Sequence, residues 1–146
     1  TPSQKFKARR MSNTPNPARQ LFGSSPCFLV ADIHKAVDYY RDVLGFTTEQ
    51  IWGEPPSFAI PTRDNLSVML KQVTESLVRP NAHVVNEVFD AYFWVRDAEA
   101  LFEDFRGKGA TVLFEPTIRQ LYGMKEFAVA DADGYLLAFG QDWPGD

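Results

Sequence analysis

The residue types that carry out most enzyme chemistry are scarce in this chain. Histidine occurs twice, at His34 and His83, and cysteine once, at Cys27. A serine or cysteine nucleophile needs a base beside it, and a zinc ion needs several nitrogen or sulfur ligands. His34 follows a helix-start signal and His83 lies in a polar connecting segment, so we expect neither to be a ligand or a catalytic group. The sequence therefore assigns no catalytic residue and predicts no cofactor.

The single cysteine and the hydropathy pattern indicate the compartment. One cysteine excludes an intramolecular disulfide and any zinc site made of several cysteines, as expected in a reducing cytoplasm. We interpret Cys27 as a small buried apolar residue. There is no apolar run of membrane-spanning length, no signal-peptide pattern and no glycine-rich phosphate loop. We expect a cytoplasmic protein that does not enter a membrane.

Charge is distributed unevenly along the chain. Residues 1–20 contain five basic residues and no acidic one, which leaves ten basic against nineteen acidic residues in the remainder. The acidic remainder argues against nucleic acid as the main partner. Residues 1–22 are also rich in Ser, Asn, Pro and Gln, which is typical of a flexible arm. The whole chain is 45% hydrophobic, and the rest of it, residues 23–146, suits one domain with a substantial core.

The first half of that domain reads as a strand, a helix and three further strands. A short apolar strand over residues 26–30 precedes Asp32, which we interpret as a helix N-cap. Apolar residues then recur at helical spacing as far as Gly45, whose left-handed conformation would end the helix. Further strands are predicted over residues 46–52, 57–61 and 66–72.

The same order of elements returns about 65 residues later, which indicates a duplicated unit. A strand over residues 91–95 precedes the second cap, Asp97, and an apolar stripe that ends at Gly107. Three more strands are predicted over residues 110–115, 124–130 and 135–140. We therefore predict an α+β fold of two tandem βαβββ modules, at residues 24–72 and 90–141, joined by the connection 73–89.

Three segments carry a resemblance to a known family. They are Val30-Ala31-Asp32 with the helix end from Tyr39 to Phe46, then Tyr122 to Phe127, then Asp131-Ala132-Asp133-Gly134-Tyr135. On these segments the chain resembles the vicinal oxygen chelate superfamily, which includes glyoxalase I, extradiol dioxygenases and fosfomycin- and bleomycin-resistance proteins. Ala132 departs from the proline usual at its position. The resemblance implies a curved, mostly antiparallel eight-stranded cradle with a cavity between the modules.

Strand alternation predicts which side chains face that cavity. Phe28 and Val30 share one face of the opening strand and should meet the helix, as Phe93 and Val95 should in the second module. The other face is left for the cavity. The predicted ligand-binding residues are Asp90, Tyr92, Trp94, Cys27, Met69, Phe58, Trp52, Phe114 and Tyr122.

Metal-dependent relatives place ligands on the opening and closing strands of each module. The resemblance puts these positions at Ser25, Met69, Asp90 and Ala138. Methionine and alanine offer no donor to a hard ion, and one aspartate does not hold a metal, so we predict no metal site.

The function that the resemblance favours is binding without chemistry, as in bleomycin-resistance proteins. An aromatic wall with a nearby carboxylate suits a planar aromatic or cationic organic molecule. We expect a homodimer that sequesters such a small-molecule ligand. One alternative is a divergent metal-dependent lyase, isomerase or dioxygenase whose ligands include Glu49, Glu54, Glu115 or Glu126. Another is a partner-binding module with a filled cavity.

Overall fold

The structure is a computed structural model that describes residues 19–144. Within this range, the order of one strand, one helix and three further sheet strands occurs twice. The predicted arm therefore lies outside the described residues except for residues 19–22. The first module contains β1 (Cys27–Val30), α1 (Ile33–Asp42), β2 (Ile51–Trp52), β3 (Phe58–Ala59), β4 (Thr62–Arg63), β5 (Leu66–Ser67) and β6 (Met69–Gln72). The second contains β7 (Ala91–Trp94), α2 (Ala98–Gly107), β8 (Thr111–Arg119), β9 (Met124–Ala130) and β10 (Leu136–Asp142).

Both helices begin at the predicted aspartate caps. A carboxylate oxygen of Asp32 accepts hydrogen bonds from the backbone N–H groups of His34 and Lys35, and Asp97 does the same for Ala100. These bonds satisfy N–H groups that have no partner within the first helical turn. Neither helix is long and apolar enough to cross a membrane within residues 19–144.

The strands form two four-stranded sheets with the same topology. Sheet one has the order β1-β6-β3-β2 and sheet two the order β7-β10-β9-β8. The first pair in each sheet is parallel and the other pairs are antiparallel. The predicted α+β class and tandem modules are confirmed. The eight predicted strands belong to two separate sheets, and β4 and β5 form an additional hairpin.

The hairpin arises because the first residues of the predicted strand 66–72 pair with β4, while the last residues pair with strands of sheet one. Leu66 and Ser67 pair with β4 across a turn in which Asp64 and Asn65 both have positive φ. The next residue, Val68, donates its N–H to the Pro61 carbonyl, and the remaining residues pair with β1 and β3. The turn therefore separates a small hairpin from sheet one.

Within residues 19–144, the buried faces of both sheets and the buried sides of both helices contribute to one hydrophobic core cluster. Phe28 and Val30 are buried in it, while Cys27 and Leu29 are exposed. The predicted alternation of β1 is confirmed. The expectation that Cys27 is buried was wrong, because strand periodicity turns it to the side opposite Phe28.

The turn before β10 connects the two modules. The hydroxyl of Tyr40 on α1 donates to Asp131 Oδ2 at 2.8 Å, and the backbone N–H of Ala31 donates to Asp133 Oδ1 at 3.0 Å. The Tyr135 hydroxyl donates to the Leu29 carbonyl at 2.6 Å. Burial raises the pKa of Asp131 to about 6. A buried carboxyl therefore lies at the junction between the modules.

Candidate functional site

Sheet two has an outer face, opposite the core, which is built from alternating residues of its strands. One row of paired positions runs across the four strands and consists of Tyr92, Ala138, Ala128 and Phe114. The neighbouring row is Trp94, Gly140, Glu126 and Thr117. Residues directly opposite each other on neighbouring strands share a face. Glu126 therefore lies in the middle of this outer face.

Glu126 is fully buried although it lies on the outer face, with 0% of its surface exposed. The hydroxyls of Tyr92 and Tyr122 both donate to its Oε1 atom, at 3.3 Å and 2.5 Å. Its other oxygen, Oε2, is also buried and has no hydrogen-bond partner within residues 19–144. Buried polar atoms are nearly always hydrogen-bonded, so an unpaired carboxylate oxygen requires an explanation.

Aromatic rings surround this carboxylate. The Tyr92 ring lies 5.3 Å from the Trp94 ring and 6.0 Å from the Phe89 ring, centroid to centroid. Phe89 in turn lies 6.2 Å from Phe114. The guanidinium carbon of Arg119 lies 4.9 Å from the centroid of the Phe114 ring. We call Phe89, Tyr92, Trp94 and Phe114 the aromatic patch.

The surroundings of Glu126 keep the hydroxyls of Tyr92 and Tyr122 protonated, so that both can donate hydrogen bonds. Burial and the negative charge of Glu126 raise the pKa of Tyr92. Burial and the hydrogen bond to Glu126 raise the pKa of Tyr122. Both phenols therefore remain protonated near neutral pH and donate to the carboxylate.

Gly140 allows Tyr92 to reach Glu126. A Cβ atom at position 140 would overlap the Tyr92 hydroxyl and ring carbon and would approach the end of Met124. The Tyr92 phenol therefore crosses directly over the glycine backbone, in the space that a side chain would fill. The position of the Tyr92 hydroxyl thus depends on a residue of a neighbouring strand.

A cavity of 230 Å³ adjoins the patch on the side of the first module. Its second-module lining includes the predicted residues Asp90, Tyr92 and Trp94. The first module contributes Ser24, Pro26, Leu66 and Ser67. The structure therefore brings these three predicted residues to a gap between the modules.

Asp90 lies at the start of β7, and the backbone occupies its carboxylate. Oδ1 accepts from the Asn81 N–H and Oδ2 accepts from the Leu136 N–H, both at 2.8 Å. These bonds fix the connection and the start of β10 to the start of β7. The prediction that Asp90 contacts a ligand stays a prediction. Glu126, by contrast, has one carboxylate oxygen without a hydrogen-bond partner among the described residues.

The other predicted residues divide between the two sheets. Phe114 belongs to the aromatic patch, and Tyr122 binds Glu126. The remaining four lie on sheet one, where strand pairing and alternation put them on the face opposite the core. They are Cys27, Met69, Phe58 and Trp52, and the last two have ring centroids 6.1 Å apart.

The positions that hold metal ligands in relatives do not fit a metal ion here. The Ser25 hydroxyl donates to backbone carbonyls, Asp90 accepts two backbone N–H groups, and Ala138 has no donor atom. Across residues 19–144, no group of three or more His, Cys, Asp or Glu side chains is arranged to hold a metal. We derive no chemical step through a metal.

Three residues of the site were not in the predicted set as ligand contacts: Phe89, Arg119 and Glu126. The sequence contains a signal for the third. Glu126 alternates with Met124, Ala128 and Ala130, so it is the one charged residue on an otherwise apolar face of the predicted strand, and a charge at such a position is unusual unless it has a role. Phe89 lies in the connection and Arg119 at the end of β8, where alternation gives no guidance.

Comparisons with known structures identify the same fold. The antibiotic binding protein TnmS3 from Streptomyces sp. CB03234 has a TM-score of 0.60 and 17% identity, over 85% of this chain and 99% of that one. The bleomycin-binding protein from Streptomyces verticillus, complexed with copper(II)-bleomycin, has a TM-score of 0.62 and 22% identity, over 83% and 96%. TioX from Micromonospora sp. ML1 has a TM-score of 0.65 and 20% identity, over 82% and 98%.

The family comparison covers most of the domain. No curated protein has a matching sequence. The model of the Glyoxalase/Bleomycin resistance protein/Dioxygenase superfamily matches residues 25–139, which include both modules. The chain therefore belongs to the Glyoxalase/Bleomycin resistance protein/Dioxygenase superfamily.

Proposed function

We propose that this protein binds a small aromatic organic molecule on the outer face of sheet two and holds it without transforming it. The observation that carries the proposal is the aromatic patch laid over the buried Glu126. Trp94 is 41% exposed, and its ring contacts Tyr92 beside the 230 Å³ cavity. Exposed ring faces of this kind bind flat ligands by stacking, while the fixed polar groups orient them.

The relatives support binding over chemistry. Two structural neighbours are described as a bleomycin-binding protein and an antibiotic binding protein. In the present chain the positions that hold metal ligands in relatives carry Ser25, Met69, Asp90 and Ala138, which suit no metal-assisted reaction. We therefore assign the protein to sequestration of its ligand.

A homodimer would complete the site. Both sheets leave exposed aromatic residues on their outer faces, Trp52 at 42% and Trp94 at 41% exposure. A two-fold axis would let sheet one of each chain cover sheet two of its partner, so that the same contact between sheet one and sheet two occurs twice in the dimer. The four predicted residues of sheet one, which include Trp52, would then form the opposite wall. Sedimentation of the purified protein should give twice the 16.5 kDa chain mass.

Calorimetric titration tests the function, with metal-free bleomycin and a set of planar aromatic antibiotics as ligands. We expect one of them to bind, and Trp94→Ala to weaken that binding about tenfold because stacking on an indole contributes about 1 to 2 kcal/mol. Trp143→Ala is the matched control, since Trp143 contacts Lys125 and not the patch. Failure of the whole set to bind, together with stoichiometric zinc, nickel, manganese or iron in the purified protein, would favour the metal-dependent alternative.

A further inference from the structure

The buried carboxylate of Glu126 is not needed for ring stacking, which is the binding mode of the proposed function. An aromatic patch could bind a flat molecule without any charge beneath it. The chain nevertheless buries a carboxylate completely and leaves Oε2 unpaired within the described residues. A buried unpaired oxygen costs stability, and a charged one costs more. Such a cost is typical of a functional site.

The groups around Glu126 show which partner is missing. Tyr92 and Tyr122 both donate to Oε1, so neither satisfies Oε2. Arg119 is the nearby cation, and its guanidinium lies over the Phe114 ring while no ion pair joins it to Glu126 in residues 19–144. The missing partner is therefore a hydrogen-bond donor that residues 19–144 do not supply.

The surrounding rings favour a positively charged donor. The face of an aromatic ring attracts cations, and this attraction grows when water is excluded. The Arg119 guanidinium over Phe114 shows that the patch already accommodates a planar cation. A hydrogen bond between a cationic N–H group and a carboxylate is also about twice as strong as a neutral one. Rings and carboxylate thus select the same ligand group.

We propose that Glu126 is the recognition residue for a cationic nitrogen group of the bound molecule, an ammonium, amidinium or guanidinium, which donates to Oε2. This inference rests on the proposed function and specifies the ligand class. The ligand places its ring on the aromatic patch and its cation against Glu126. The positive charge of the ligand then compensates the negative charge of the buried carboxylate.

Tyr122 is the more exposed of the two tyrosines that donate to Glu126. It lies in the turn at residues 120–123 and is 53% exposed although its hydroxyl binds Glu126. The turn backbone is fixed, because the Gly123 N–H donates to the Arg119 carbonyl and the Trp143 N–H donates to the Gly123 carbonyl. Because Oε2 is buried, a ligand reaches it only when a covering side chain moves, and we assign this movement to Tyr122, whose turn backbone is held in place. Tyr92, which lies over Gly140, keeps its bond to Oε1.

Three ligands of one shape and different charge test this inference. Benzamidine carries an amidinium, benzamide is its neutral counterpart, and benzoate is an anion. The wild-type protein should bind benzamidine about tenfold tighter than benzamide and benzoate weakest of the three. Glu126→Gln should remove the preference for benzamidine and leave benzamide binding unchanged. Glu103→Gln, the same change on the exposed helix α2, should leave all three affinities unchanged.

Thermal unfolding without ligand separates a binding role from a structural one. Glu126→Gln keeps the oxygen that accepts from the two tyrosines and replaces an unpaired buried charge by a neutral amide group, which costs less to bury, so the variant should unfold at a temperature no lower than that of the wild type. A lower unfolding temperature would show that the carboxylate supports the fold and would overturn the inference. Equal affinities for benzamidine and benzamide would overturn it and leave the proposed function standing. Absence of binding by all three would overturn the inference, and the titration with bleomycin and planar antibiotics decides the proposed function separately.

Discussion

Phe127→Ala should lower the free energy of unfolding by about 3 to 5 kcal/mol. Phe127 is fully buried on the inner face of β9 and packs against the rings of Phe102, Phe105 and Phe139. Truncation leaves a cavity among residues that cannot collapse to fill it, since the helix and the sheet fix them on both sides. Urea unfolding at equilibrium measures the loss.

The matched control is Leu113→Ala on β8, where the leucine is 36% exposed and lies outside the core. Its loss should cost less than about 1 kcal/mol. A loss at Phe127 no larger than at Leu113 would contradict the single shared core.

Phe127 and Glu126 are neighbours on opposite faces of one strand. Substitution of Phe127 should therefore reduce stability, while substitution of Glu126 should reduce selectivity for a cation.

Asp131 should make the protein less stable as pH rises through the mildly acidic range. Burial raises its pKa in the folded chain to about 6, against an ordinary value of 3.8. Between these two values the folded state holds a proton that the unfolded state has lost, so the unfolding free energy falls as pH increases. Two pKa units correspond to about 3 kcal/mol, a cost fully present above about pH 6 and absent below about pH 4.

Asp131→Asn isolates this effect. Asparagine keeps an oxygen to accept from the Asp133 and Tyr135 N–H groups, and its amide donates to the Tyr40 hydroxyl in place of the present bond. The wild type should lose about 3 kcal/mol relative to the variant between about pH 4 and pH 7. Urea unfolding of both proteins at these pH values gives the difference. A difference that does not change with pH would show that Asp131 does not titrate in this range.

Most of the fold could be predicted because local signals and packing agree. The two aspartate caps, the apolar helical stripes and strand β9 are found where the sequence predicts them. The predicted strand over residues 46–52 is reduced to Ile51–Trp52, because Thr47 pairs instead with Thr62. Strand β8 extends beyond its prediction to Arg119, because its register shifts keep it paired with β9 past Pro116. Tertiary pairing decides both, and no local pattern reports it.

Strand alternation predicts the facing of some side chains in the candidate site, but not how neighbouring strands bring them together. Alternation placed Tyr92 and Trp94 on one face of β7, since the period of two residues fixes that side. The sequence predicts a ligand-binding carboxylate at Asp90, at the start of the same strand, whereas Glu126 lies two strands away and is not among the predicted ligand contacts. Sheet order brings Glu126 beneath Tyr92, and Gly140 on the intervening strand leaves the space for that contact. Neither relation is visible until the strand order is known.

The location of bound ligand tests the account most directly. In a ¹⁵N–¹H NMR titration with benzamidine, the indole N–H signal of Trp94 and the backbone signals of Tyr92, Glu126 and Gly140 should move together. The indole signal of Trp143, which lies against Lys125, should stay in place. Signals that move around helix α2 or Trp143 while those of Trp94 and Glu126 remain fixed would contradict a binding site on the outer face of sheet two.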